Sequence, residues 1–111
     1  MKDDKLYLIH ICECIERVEG YVQSGGKEAF ITSTLIQDAV LRNLQVMAES
    51  TQRLSDSIRA KHSGIDWRQI SGFRNVLVHN YLNVEPDRVW LVIEQDLPAL
   101  KRAVATMLEE L

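Results

Sequence analysis

In KLYLIHICECIERVEGYVQSGG (residues 5–26) the apolar side chains Leu8, Ile11, Cys12, Ile15, Val18 and Val22 recur three or four positions apart, with Glu13, Glu16, Arg17 and Glu19 between them. That period belongs to an α-helix and not to a strand, so the spacing predicts a one-faced amphipathic helix from Lys5 to Gln23. Ser24-Gly25-Gly26 ends it, because glycine accepts the left-handed backbone of a helix C-terminus.

The same period continues outward. Residues 27–33 read as a connection in which Phe30 and Ile31 pack down, and Thr32, Ser33 or Thr34 can cap the helix that follows. That second helix is expected from about Thr34 to Lys61, with a stripe of Ile36, Val40, Leu44, Met47, Leu54 and Ile58. Thr51 interrupts the stripe, either as a satisfied core hydroxyl or, with Glu49 and Ser50, as a polar spot in the bundle. Ser63-Gly64 breaks the helix. Asp66 then N-caps a third helix running from Trp67 to about Tyr81, with Ile70, Phe73, Leu77 and Val78 inward. Pro86 suits the first turn of a fourth helix, which carries Trp90, Ile93, Leu97, Leu100, Val104, Met107 and Leu111 and is kinked at Pro98. Strand signals are scarce, and there is neither an internal repeat nor a domain-separating linker. The expected architecture is all-α: one domain, residues 1–111, folded as an up-and-down four-helix bundle.

Composition narrows the function. A chain of 111 residues holds one core, and 46% apolar with 26% charged residues excludes a disordered or low-complexity chain. No apolar run approaches a bilayer span, and Asp3 and Asp4 stand where a signal peptide would be purely basic. The expected location is the cytoplasm, with Cys12 and Cys14 reduced. These cysteines point about 200° apart on a helix and cannot grip one metal, while His10 and Cys14 share a face but supply only two ligands. No metal site and no cofactor are expected. The acidic pairs Asp3-Asp4 and Glu109-Glu110 read as solvated ends. The formal charge of −3 argues against indiscriminate nucleic-acid coating. Residues 53–79, however, carry five basic side chains against two acidic ones, compatible with one small anionic site.

Within that segment, Arg74-Asn75-Val76-Leu77-Val78-His79-Asn80-Tyr81 gathers a permanent cation, two amides, an imidazole and a phenol. The set suits a phosphodiester. Arginine presents a planar charged fork to phosphate oxygens. Histidine can take a proton from a ribose 2′-hydroxyl. Asparagine and tyrosine can donate to oxygens that gain charge. By chance, a chain with 8 Arg, 3 His and 3 Tyr shows this Arg-x4-His-x-Tyr spacing about 0.006 times, against about 0.2 for the Arg-His pair alone. Five residues apart, Arg74 and His79 point about 140° from each other on an ideal helix. The pair therefore needs helix distortion, a long arginine reach, or a second copy across a two-fold axis.

The run Trp67 to Tyr81, with Val89-Trp90 and Leu97-Pro98-Ala99-Leu100, resembles the HepT-like branch of the HEPN superfamily, small all-α ribonuclease toxins encoded beside MNT nucleotidyltransferase antitoxins. The resemblance covers nearly the whole chain. It includes Met47-Ala48-Glu49-Ser50, where relatives commonly show a Gly-Glu-Ala-like segment; Glu49 is kept, and Ala48 and Ser50 depart from it. The resemblance implies a type II HEPN/MNT toxin, a metal-independent endoribonuclease with Arg74 and His79 catalytic. Asn75, Asn80 and Glu49 would be supporting polar groups, and the site would lie at a homodimer interface. It further implies neutralisation by AMP transfer from ATP onto Tyr81, and an adenylyl group there would bring a phosphate beside Arg74, competing for the cation that an RNA phosphate needs. The alternatives are a non-catalytic helical binding partner of a nucleotidyltransferase and an inert four-helix dimerisation protein. The intact Arg74, His79 and Tyr81 favour the enzyme.

Overall fold

Gly26 sets the first corner. The computed structural model describes residues 2–111, with side chains from residue 3. Helix α1 (Lys2–Gln23) is followed by Gly26 at φ 59°, the left-handed conformation expected there, and the chain turns at once into α2 (Gly26–Thr32). The expected connection is thus a short helix. Phe30 is buried, its ring 5.8 Å from that of Trp90. Ile31, also expected to pack down, is exposed; adjacent helical residues diverge by about 100°, so both cannot face the core. In α1 the buried cysteine is Cys14, spaced three from Ile11 and four from Val18, while Cys12 is only half-buried.

Ser33 is the cap of α3 (Thr34–Gln52), accepting from the Ile36 N–H at 3.2 Å. The expected run to Lys61 does not occur: the chain leaves the helix at Arg53 and restarts as α4 (Asp56–Lys61). The break is held from α1. Asp4, only 4% exposed, accepts from the Ser55 N–H at 2.8 Å and from the Ser55 hydroxyl at 2.7 Å. Ser55, extended at φ −65° and ψ 152°, accepts in turn from the Ile58 N–H and caps α4. Asp4, read from sequence as solvated, is therefore a buried strut. Thr51 is a satisfied core hydroxyl, donating to the Ala48 carbonyl at 2.6 Å.

Burial pushes the Asp4 carboxyl up, but the two bonds from Ser55, helped by Arg59, outweigh it and hold the group below the ordinary carboxylate value. A depressed folded pKa gives stability that is present above the unfolded pKa and lost as pH falls through the folded one. Asp4→Asn, which keeps one acceptor but sets an amide N–H against the other donor, is expected to cost about 1–3 kcal/mol at neutral pH. In urea unfolding the gap between wild type and variant should shrink below about pH 4. A gap that stays constant down to pH 3 would show that the ionised carboxylate is not what stabilises this corner.

Asp66 caps α5 (Trp67–His79), accepting from the Gln69 N–H at 2.9 Å. The Trp67 indole N–H is shared between the Arg59 and His62 carbonyls, both at 3.1 Å, fixing where α5 begins. The helix stops at His79, two residues earlier than expected, and Tyr81–Asn83 form a 3-10 turn. Leu77 is buried and Ile70 and Phe73 pack against the core, but Val78, expected inward, is exposed. The last long helix comprises α6 (Pro86–Leu91), a π-turn (Val92–Asp96) and α7 (Leu97–Glu110) without a break. The disturbance expected at Pro98 is this widened turn, in which the Leu97 N–H reaches back five residues to the Val92 carbonyl. Ile93, Leu97, Leu100, Val104 and Met107 are buried; Leu111, expected on the same stripe, lies beyond the helix and is exposed.

α1 packs along α3 and α7, and α3 packs on its other side along α5. The result is an all-α bundle of 41 × 29 × 21 Å, without strands among the described residues. Between α5 and the last helix runs an open groove of about 590 Å³, lined by Ile70, Phe73, Val76, Asn80, Val89 and Leu97 among others. No described helix is long and apolar enough to cross a membrane.

Candidate active site on helix α5

Arg74 leaves α5 toward α3. Its Nη2 donates to Glu49 Oε2 at 3.3 Å and its Nη1 to the neighbouring Asn75 Oδ1 at 3.2 Å. Gln45 Nε2 reaches the same Glu49 oxygen at 3.4 Å. These bonds are long for charge-assisted contacts, which favour about 2.7–2.9 Å. The Nε–H is buried and without a partner among the described residues. The guanidinium is steered by Glu49 but not saturated by it: each Nη has a second N–H and the side chain is 28% exposed, so these groups can still meet an anionic oxygen.

His79, the last residue of α5, is exposed, and its ring has no hydrogen-bond partner among the described residues. α5 is regular from Trp67 to His79, so the distortion that could have brought Arg74 and His79 together does not occur, and they diverge by about 140° around one helix. Asn75 stands with Arg74. Asn80 does not: it accepts from Asn83 Nδ2 at 2.6 Å and braces the 3-10 turn.

Tyr81 folds back onto α3, its hydroxyl donating to Asp38 Oδ1 at 2.7 Å. That hydrogen bond, then burial, then the Asp38 charge push the phenol above its ordinary pKa. Sequence reading missed Asp38 and Gln45, although a signal was present. Asp38, Gln45 and Glu49 are spaced seven and four apart, a polar stripe on the α3 face opposite its apolar one. The stripe also corrects one expectation. Glu49 and Asp38 are separated by 11 residues, about 16 Å along the α3 axis, so a phosphate on Tyr81 would sit away from the same protomer's Arg74, at the His79 end. Among the described residues, no three His, Cys, Asp or Glu side chains are grouped to hold a metal ion.

The fold is a helical bundle, without strands among the described residues, that carries Arg74 and His79 on its third long helix and Tyr81 in the turn just beyond it. The profile of the family described as Ribonuclease HepT-like matches residues 11–107, and the chain belongs to that family. It is 36% identical over 110 residues to the Methanocaldococcus jannaschii protein named "Gamma-glutamylcyclotransferase and putative RNase", covering 99% of this chain but 50% of that relative's length. It is 33% identical to "Putative RNase" of Caldanaerobacter subterraneus subsp. tengcongensis, covering 99% of this chain and 98% of the relative. It is 30% identical to "Probable ribonuclease HepT" of Thermococcus cleftensis, covering 90% and 91%. No solved structure matches the chain.

Proposed function

We propose that the chain is the ribonuclease toxin of a HEPN/MNT toxin–antitoxin pair, a homodimer that cuts RNA without a metal ion. The observation that carries the reading is the intact motif: an unsaturated Arg74 guanidinium and an unengaged His79 ring on one exposed helix of a HepT-like chain. In this reading the His79 imidazole takes the proton from a ribose 2′-hydroxyl, and the freed oxygen attacks the adjacent phosphorus. The P–O5′ bond breaks, and the leaving oxygen takes up a proton. Arg74 binds the non-bridging oxygens as they gain charge, and Asn75 and Glu49 hold its fork. Products are a 2′,3′-cyclic phosphate and a 5′-hydroxyl.

The 140° divergence of Arg74 and His79 supports a site completed by a second copy. So do the exposed apolar side chains Val78 and Leu82, on and just beyond α5, which a two-fold contact would bury. The regulatory half of the reading assigns Tyr81 as acceptor of AMP delivered by a nucleotidyltransferase antitoxin.

Incubation with RNA in excess EDTA tests the chemistry. Cleavage should persist, and a single 2′-deoxy substitution at the cut site should abolish it. Cleavage that needs added metal and ignores the 2′-deoxy substitution would overturn the mechanism.

A further inference from the structure

Asp38 has no place in the cleavage chemistry. Among the described residues, Tyr81 is the only one of the three tyrosines whose hydroxyl hydrogen-bonds a carboxylate. Tyr21 is exposed to nearly the same degree, 39% against 42%, and lacks such a partner. The backbone at Tyr81 is fixed as well: the Val84 N–H donates to its carbonyl at 3.3 Å, and the Asn83 N–H closes onto Asn80 at 3.0 Å. The phenol is thus presented to Asp38 from a short ordered turn, while the rest of its surface stays open.

We propose that Asp38 is the proton acceptor for nucleotidyl transfer onto Tyr81, so that this chain supplies part of the chemistry of its own modification. The inference rests on Tyr81 being the AMP acceptor. The step balances as follows. The phenolic oxygen attacks the α-phosphorus of a nucleoside triphosphate held with magnesium by the nucleotidyltransferase. An O–P bond forms, the bond from that phosphorus to the α,β-bridging oxygen breaks, and pyrophosphate leaves with the electron pair. The phenolic proton passes to Asp38 Oδ1 and from there to water, which the exposed carboxylate can reach.

A neutral phenol is a weak nucleophile, and this one is held above the ordinary pKa by its own hydrogen bond to Asp38, with burial and the Asp38 charge adding to it. Phenolate is therefore scarce near neutrality, and the proton must leave as the new bond forms. A carboxylate at 2.7 Å is within the reach a general base requires. The arrangement also selects the residue. Tyr21, equally open to a partner, has no carboxylate on its hydroxyl among the described residues.

Asp38→Asn separates proton transfer from positioning, because the amide oxygen can still accept the phenolic hydrogen bond but cannot keep the proton. With purified cognate nucleotidyltransferase, ATP and Mg²⁺, the wild type should gain AMP on Tyr81. In Asp38→Asn, kcat for transfer should fall about 10²–10⁴-fold with little change in KM for the chain. Asp38→Ala should be no faster, and Asp38→Glu should recover part of the rate. Each variant should remain folded, with its thermal midpoint lowered by no more than the loss of this one exposed hydrogen bond. Transfer by Asp38→Asn at the wild-type rate overturns the proposal, and so does a slow Asp38→Ala beside a normal Asp38→Asn, which would show that Asp38 only holds the ring. Absence of AMP on wild-type Tyr81 is a separate result: it removes the acceptor assignment, and this proposal falls with it.

Discussion

Replacing His79 by Ala is expected to reduce RNA cleavage by about 10²–10⁴-fold, the usual contribution of a general acid–base group. Stability should change little, because His79 is exposed at the last residue of α5 and its ring holds no hydrogen bond among the described residues. A folded His79→Ala protein that cleaves at the wild-type rate would remove the imidazole from the mechanism. The same variant tests how the site is built. Arg74 turns into the bundle toward Glu49, and His79 points out at the far end of the helix. If each site takes Arg74 from one protomer and His79 from its partner, co-expressed Arg74→Ala and His79→Ala chains should regain activity. Half of the dimers would be mixed, and each mixed dimer would hold one intact composite site of two, so about a quarter of wild-type activity should return. If both residues act from the same protomer, no mixed dimer contains an intact site, and the mixture stays inactive.

The helices and their caps were legible because they follow from local chemistry. Asp66 capping Gln69, glycine at the left-handed corner after α1, and the apolar stripes of α1 and α3 each depend on residues within a few positions of one another. What was hidden depends on partners distant in sequence. The break between α3 and α4 is held by Asp4, 51 residues from Ser55, while Leu54 and Ile58 continue the helical period across it. The early end of α5 likewise involves Asp38, which draws Tyr81 back onto α3. The motif on α5 could be read directly. Its division could not: Glu49 and Asn75 gather at Arg74, Asp38 takes Tyr81, and His79 is left alone between them.

That division makes Tyr81→Phe the sharpest test of regulation. The substitution removes one exposed hydroxyl and its bond to Asp38, a loss of about 0.5–1.5 kcal/mol at most, and it leaves Arg74 and His79 untouched. The variant should therefore fold and cleave RNA as wild type does. Incubated with ATP, Mg²⁺ and the cognate nucleotidyltransferase, wild-type protein should gain the mass of AMP units and lose activity, whereas Tyr81→Phe should gain none and stay active. The loss need not come from capture of Arg74, whose carboxylate anchor lies about 16 Å along α3 from that of Tyr81. It follows from placing a phosphate and a nucleoside two residues beyond His79, beside the exposed Leu82, in the approach an RNA strand must take. Two outcomes would reject the assignment. An equal mass gain on Tyr81→Phe would move the acceptor elsewhere. A modified wild type that still cuts RNA at full rate would show that AMP at this position does not obstruct the His79 end of the site.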